Sequence, residues 1–134
     1  MAAASRTLVV VAALVALTVA SYLAWLGWDQ KKTRVPGTFD LEGPYEPWQV
    51  IGLAVTLAVV AVVVTLRYTA SLAIVVIPLA WTVVWSVDAA SGRSPDANLW
   101  PIGAASLAVG SLAGIALTCA IATSLRDRVR RQSA

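Results

Sequence analysis

Four long runs without a single Asp, Glu, Lys or Arg constrain this 134-residue chain more than any other feature. They cover residues 8–28, 48–66, 69–87 and 99–125. An apolar run of about 20 residues is what an α-helix needs to cross about 30 Å of hydrocarbon. Only 13% of the chain is charged, where a soluble domain carries about a quarter. Lipid, not water, is therefore the expected solvent. Valine crowds the second and third runs and would favour strands in water. A lone apolar span must satisfy its own backbone groups in lipid, and a helix does so. The expected fold is all-α, a four-helix transmembrane bundle running up-down-up-down in one integral-membrane domain. A short cytoplasmic hairpin joins helices 2 and 3, a longer outer loop joins helices 1 and 2, and residues 126–134 form a basic cytoplasmic tail.

The first run has some marks of a signal peptide. Arg6 precedes the apolar stretch, and Thr18-Val19-Ala20 stands before Ser21 as a weak cleavage site. The run continues to Trp28, past the usual length of such a core, so a retained helix is expected.

Charge then orients the bundle. One side collects Arg6, Arg67, Arg126, Arg128, Arg130 and Arg131 with one acid, Asp127. The other collects Lys31, Lys32, Arg34 and Arg93 together with Asp29, Asp40, Glu42, Glu46, Asp88 and Asp96. Positive residues favour the cytoplasm, so both termini are expected inside, in a plasma (inner) membrane. The Ala/Val-rich, Lys-poor composition suits a bacterial membrane. All six tryptophans (Trp25, Trp28, Trp48, Trp81, Trp85 and Trp100) fall in the outer half, with Tyr22, Phe39 and Tyr45. Indole prefers the headgroup boundary, where its ring is apolar and its N–H finds a partner. Net charge is +3, but the basic residues stand at the ends of apolar runs and not on a polar domain. No nucleic-acid partner is expected.

"GPYEPWQV", residues 43–50, introduces the second helix. Pro47 suits a first helical position, Glu46 meets the positive end of the helix dipole, and Trp48 sets the depth. Asn98 or Asp96 can cap the fourth helix ahead of Pro101. "RVPGTFDL", residues 34–41, suggests two short extended pieces around a Pro36-Gly37 turn. Pro78 removes a backbone bond inside the third run and marks a hinge. Ser106, Gly110, Gly114 and Thr118 recur every four residues in the fourth run, and Ala12, Ala16, Ala20 and Ala24 do so in the first. Such ridges let membrane helices approach closely, and packing within the bundle is expected ahead of an oligomer face.

Catalytic chemistry finds few groups. The sequence has no His and one Cys, Cys119, so neither a Ser–His nor a Cys–His pair exists, and no cofactor is expected. The acids lack any metal-ligand spacing. The spans lack the ionisable residue that ion-coupled carriers keep at mid-depth. Their polar residues are hydroxyls, including Thr18, Thr56, Thr82, Ser106, Ser111 and Thr118, which ordinarily bond a backbone carbonyl or a neighbouring helix.

The candidate site is an outer aromatic and acidic rim of Trp25, Trp28, Tyr45, Glu46, Trp48, Trp81, Trp85 and Asp88. It could form a pocket for an organic cation, a lipid or a partner helix, or an ordinary aromatic belt. The leading expectation is a non-catalytic accessory or interaction subunit that docks on another membrane protein, or on itself, through small-residue faces and this rim. The alternative is an oligomeric channel or transporter for a cationic or lipophilic small molecule. A lipid-modifying enzyme using outer acids is a third reading. The tail arginines are expected to meet anionic lipids, at about 1 kcal/mol each.

Overall fold

The computed structural model describes residues 2–28, 33–34, 36–37, 41–42, 46–91 and 100–133. Four helices dominate: α1 Ala2–Trp25, α2 Pro47–Arg67, α3 Ala70–Ser91 and α4 Trp100–Gln132. Each is long and apolar enough to cross a membrane. By length and composition the chain is a multi-pass membrane protein built as a transmembrane helix bundle.

The helix ends depart from the sequence boundaries in four places: α1 starts at Ala2, ahead of Leu8, and three further ends shift as well. Helix α1 stops at Trp25, short of Trp28. There the amides of Leu26 and Gly27 both donate to the Tyr22 carbonyl, at 2.8 and 3.1 Å. Gly27 permits this closure, since a Cβ there would lie 2.8 Å from the Cα of Leu23. Helix α3 continues past Val87 to Ser91 and so carries Asp88 on helical backbone. Helix α4 continues past Leu125 to Gln132, so the arginine-rich tail is helical and not an appended coil. Its 33 residues span about 50 Å at 1.5 Å per residue, which exceeds the hydrocarbon thickness by several turns. Arg130 and Arg131 occupy its last turn, where positive charge suits the carbonyl end of the dipole.

Helix α2 begins as its sequence suggests. Glu46 is the N-cap residue and Pro47 opens the helix. The Gln49 side chain turns back and accepts the Glu46 backbone N–H at 2.7 Å. At the far end Tyr68 N–H donates to Val64 O at 2.8 Å, and α3 starts two residues later. Helix α3 runs without interruption through Pro78, which is buried. Between α1 and α2, β1 Thr33–Arg34 pairs antiparallel with β2 Leu41–Glu42, Thr33 opposite Glu42 and Arg34 opposite Leu41. Gly37 takes φ 89°, the sign that the third position of a type II turn requires.

Among the described residues every helix touches every other except α1 and α4. Helices α2 and α3 thus form the middle of the bundle, with α1 and α4 at its flanks. Leu14, Leu53, Leu57, Ala61, Ala73, Ile77, Ile115 and Cys119 make the core. The exterior differs from that of a soluble protein in being apolar, as the core is. Thr18, Ser21, Gln49 and Thr65 are buried, while Val55, Val83, Val109 and Leu117 are more than half exposed. Water-soluble folds bury apolar side chains first; this one shows them outward all round.

Ala61 and Ala73 are fully enclosed, so their small size sets how closely the central helices approach. Ala73→Leu is expected to destabilise the bundle by about 1–3 kcal/mol through overpacking, and Val55→Leu on the outer face to change little. Cys119 is itself buried, so thermal unfolding followed by a thiol-reactive dye in detergent checks both.

Candidate functional site

The aromatic rim divides into two sets of indoles. Trp25, Trp81 and Trp85 turn inward and lock neighbouring helices together; Trp28 and Trp48 remain more than half exposed.

The inward set seats rings on glycines. Trp25 of α1 lies over Gly52 of α2, so closely that a Cβ on Gly52 would stand 2.5 Å from the ring. Its indole N–H donates to Thr56 Oγ1 at 3.1 Å. The Thr56 hydroxyl in turn donates to the Gly52 carbonyl at 2.8 Å. Gly52 and Thr56 are four apart and share one face of α2. One supplies the notch for the ring and the other the acceptor for its N–H. Trp85 of α3 seats on Gly103 of α4 in the same manner, where a Cβ would come within 2.8 Å of the ring.

Asp88 joins this network. Tyr22 of α1 donates its phenolic O–H to Asp88 Oδ2 of α3 at 2.6 Å, within the usual range of an O–H···O bond. The Tyr22 ring packs on Trp81, with centroids 5.4 Å apart and planes tilted by 56°. Trp81, Trp85 and Asp88 lie at i, i+4 and i+7, so one stripe of α3 carries all three. The Ser91 hydroxyl donates to the Asp88 carbonyl at 3.0 Å.

On the exposed side, Trp48 is the hinge of an aromatic corner. It meets Trp25 edge-on at 6.2 Å and Trp28 at 6.5 Å. The Trp28 N–H donates to Ala24 O at 2.9 Å. Glu46 is exposed beside this corner. Gln49, fully enclosed, uses its oxygen on the Glu46 amide and leaves Nε2 without a partner among the described residues. Tyr45 lies outside the described residues, as do Lys31, Lys32, Asp29, Phe39, Asp40, Arg93, Asp96 and Asn98.

The small-residue ridge of α4 faces outward. Among the described residues, no atom of another helix lies within 4 Å of a Cβ built on Gly110 or Gly114. Ser106 is exposed and Thr118 half-buried, its hydroxyl donating to Gly114 O at 2.8 Å. The expectation that this ridge packs inside the bundle is therefore corrected: α4 packs inward through Leu107, Ile115, Cys119 and Ala122. On that face Thr65 of α2 donates to Cys119 Sγ at 3.1 Å, both groups buried. The alanine ridge of α1, Ala12 to Ala24, is exposed as well. Pro78 is buried within α3.

Sequence reading placed the indoles and Asp88 at one end but missed Tyr22, Gly52, Thr56 and Gly103 as their partners. One signal was available: Tyr22 and Trp25 are three apart, and Gly52 and Thr56 four apart, so each pair shares a face. Comparison with known proteins finds no matching family, no matching curated sequence and no matching solved structure.

The seat of Trp25 makes a coupled test. Gly52→Leu is expected to cost about 1–3 kcal/mol in the native background. In a Trp25→Ala background it should cost far less, because the colliding ring is gone. Trp25→Phe keeps most of the seat and loses the N–H, an expected loss of about 0.6 kcal/mol. Unfolding midpoints of the double-mutant cycle check this, and an equal cost of Gly52→Leu in both backgrounds would dismiss the seat.

Proposed function

We propose that this chain is a small non-catalytic membrane subunit that docks on a second membrane protein, or on a further copy of itself, through the outward ridge of α4. One observation carries the reading: Gly110 and Gly114 present bare backbone, with no described residue of another helix within 4 Å of a Cβ built there, at the four-residue spacing set by Ser106 and Thr118. A helix gains nothing from Gly inside lipid, because Gly costs about 1 kcal/mol relative to Ala in helix propensity. A neighbouring helix gains close approach there. The exposed corner of Trp28 and Trp48, where α1 ends and α2 begins, is a second exposed surface. The inward indoles serve the bundle itself.

In this reading the helices run up-down-up-down with both termini in the cytoplasm of a plasma membrane. The six arginines at the two chain ends and the α2–α3 connection support that orientation. Asp127 is answered by Arg126 at 3.9 Å. Arg128, Arg130 and Arg131 extend beyond this pair along the end of α4, suited to anionic headgroups.

Purification in mild detergent, with cross-linking in membranes beforehand, tests the reading. The expected result is a stable companion or dimer that Gly110→Leu with Gly114→Leu disperses while the unfolding midpoint of the separated chain does not fall, since removing two helical glycines adds helix propensity. A solitary monomer, cross-linked to nothing, would refute it.

A further inference from the structure

At the opposite end from the indoles, the first turns of α1, the last turn of α2 and the start of α3 border an open cavity of about 510 Å³. Arg6 and Thr7 of α1, Arg67 and Tyr68 at the end of α2, and Val10 and Leu72 deeper along α1 and α3 form its wall. We propose that this cavity binds a phosphate anion, presented as the headgroup of an anionic glycerophospholipid.

Charge carries the first part of the argument. Two arginines from separate helices line one concave space, and among the described residues neither has a carboxylate partner: the ion pair there is Arg126 with Asp127. Among the described residues no acid lines the cavity. The peptide dipoles leave a small positive balance, since the amide ends of α1 and α3 each contribute about half a positive charge and the carbonyl end of α2 about half a negative one. The two arginines add to that sign. Guanidinium matches phosphate oxygens in pairs, which ammonium does not. Tyr68, half exposed, adds a phenolic donor at the mouth. Thr7 contributes shape and no proton, because its hydroxyl already donates to Ala3 O at 3.1 Å.

Shape supplies the second part. Val10 and Leu72 continue the wall into apolar helix surface, so a charged head at the mouth has a lipid-soluble path for acyl chains directly below it. A free inorganic ion would leave that apolar wall unused. The site is separate from the helical arginines at the end of α4, and it does not depend on the docking proposal.

Native mass spectrometry of the full chain, released from nanodiscs of phosphatidylcholine with and without phosphatidylglycerol, tests the proposal. One retained phosphatidylglycerol is expected. Arg6→Gln or Arg67→Gln should each weaken its retention by about fivefold, the effect of one surface arginine on an anionic lipid. Arg128→Gln, on the α4 extension, should leave it unchanged. A second arm adds inorganic phosphate, against chloride at equal ionic strength, to protein in phosphatidylcholine alone and follows unfolding through Cys119. Stabilisation by phosphate that Arg6→Gln removes, without any lipid preference, assigns the same anion site to a soluble phosphate. No phosphatidylglycerol preference and no phosphate stabilisation overturns the site. So does a loss with Arg128→Gln as large as that with Arg6→Gln.

Discussion

Lipid gives apolar helices no hydrophobic reason to adhere, because a hydrocarbon tail solvates Val or Leu as well as another helix does. Whatever holds this bundle together must come from fit and from the few polar groups that lipid cannot satisfy. The structure answers with two devices. Enclosed small residues, Ala61 and Ala73, bring the central helices close. Buried donors cross between helices: Tyr22 to Asp88, Trp25 to Thr56 and Thr65 to Cys119. Each is worth only about 0.6 kcal/mol on average within a membrane. Together they matter mainly by fixing which faces meet.

The indoles show the same economy. An aromatic belt merely floats at the headgroup boundary, but Trp25 and Trp85 are each set into a glycine of the next helix. A ring over bare backbone gains contact along its whole face, and dispersion adds over many atom pairs. The seats tie α1 to α2 and α3 to α4, while Tyr22 with Asp88 and Trp81 ties α1 to α3. One end of the bundle is thereby stitched by aromatic contacts. The other end places Arg6 and Arg67 around an open cavity and is more positive. That asymmetry separates a structural end from an end suited to anionic headgroups.

The existence of the four helices was legible because it depends on the absence of charge over about 20 residues, which any reader of the sequence can see. Their faces were not. Periodicity reveals a buried face only when the two faces differ in polarity, and here both are apolar. Gly52 and Gly110 look alike in sequence, each in an apolar helix with a small or hydroxyl residue four positions on. One receives an indole and the other meets open space. The difference lies in the rotation of α2 and α4, fixed by distant contacts such as Thr65 with Cys119. The helix ends at Trp25 and Ser91 were missed for a similar reason: Gly27 closing on Tyr22, and Asp88 held by a phenol 66 positions away, are tertiary events. The Pro36-Gly37 turn and the Glu46-Pro47 helix start were readable because they are local chemistry.

The central claim is that hydrocarbon, not water, covers the outward faces of these helices. Single cysteines in a Cys119→Ser background at Val55, Val83, Val109 and Leu117, all more than half exposed, put that claim to a direct test in intact membranes. A membrane-impermeant maleimide should leave all four unlabelled while labelling a cysteine at Ser133 once the bilayer is opened to reach both sides. Labelling of the four at the rate of Ser133, with the bundle folded, would mean that water bathes those faces and would contradict the account.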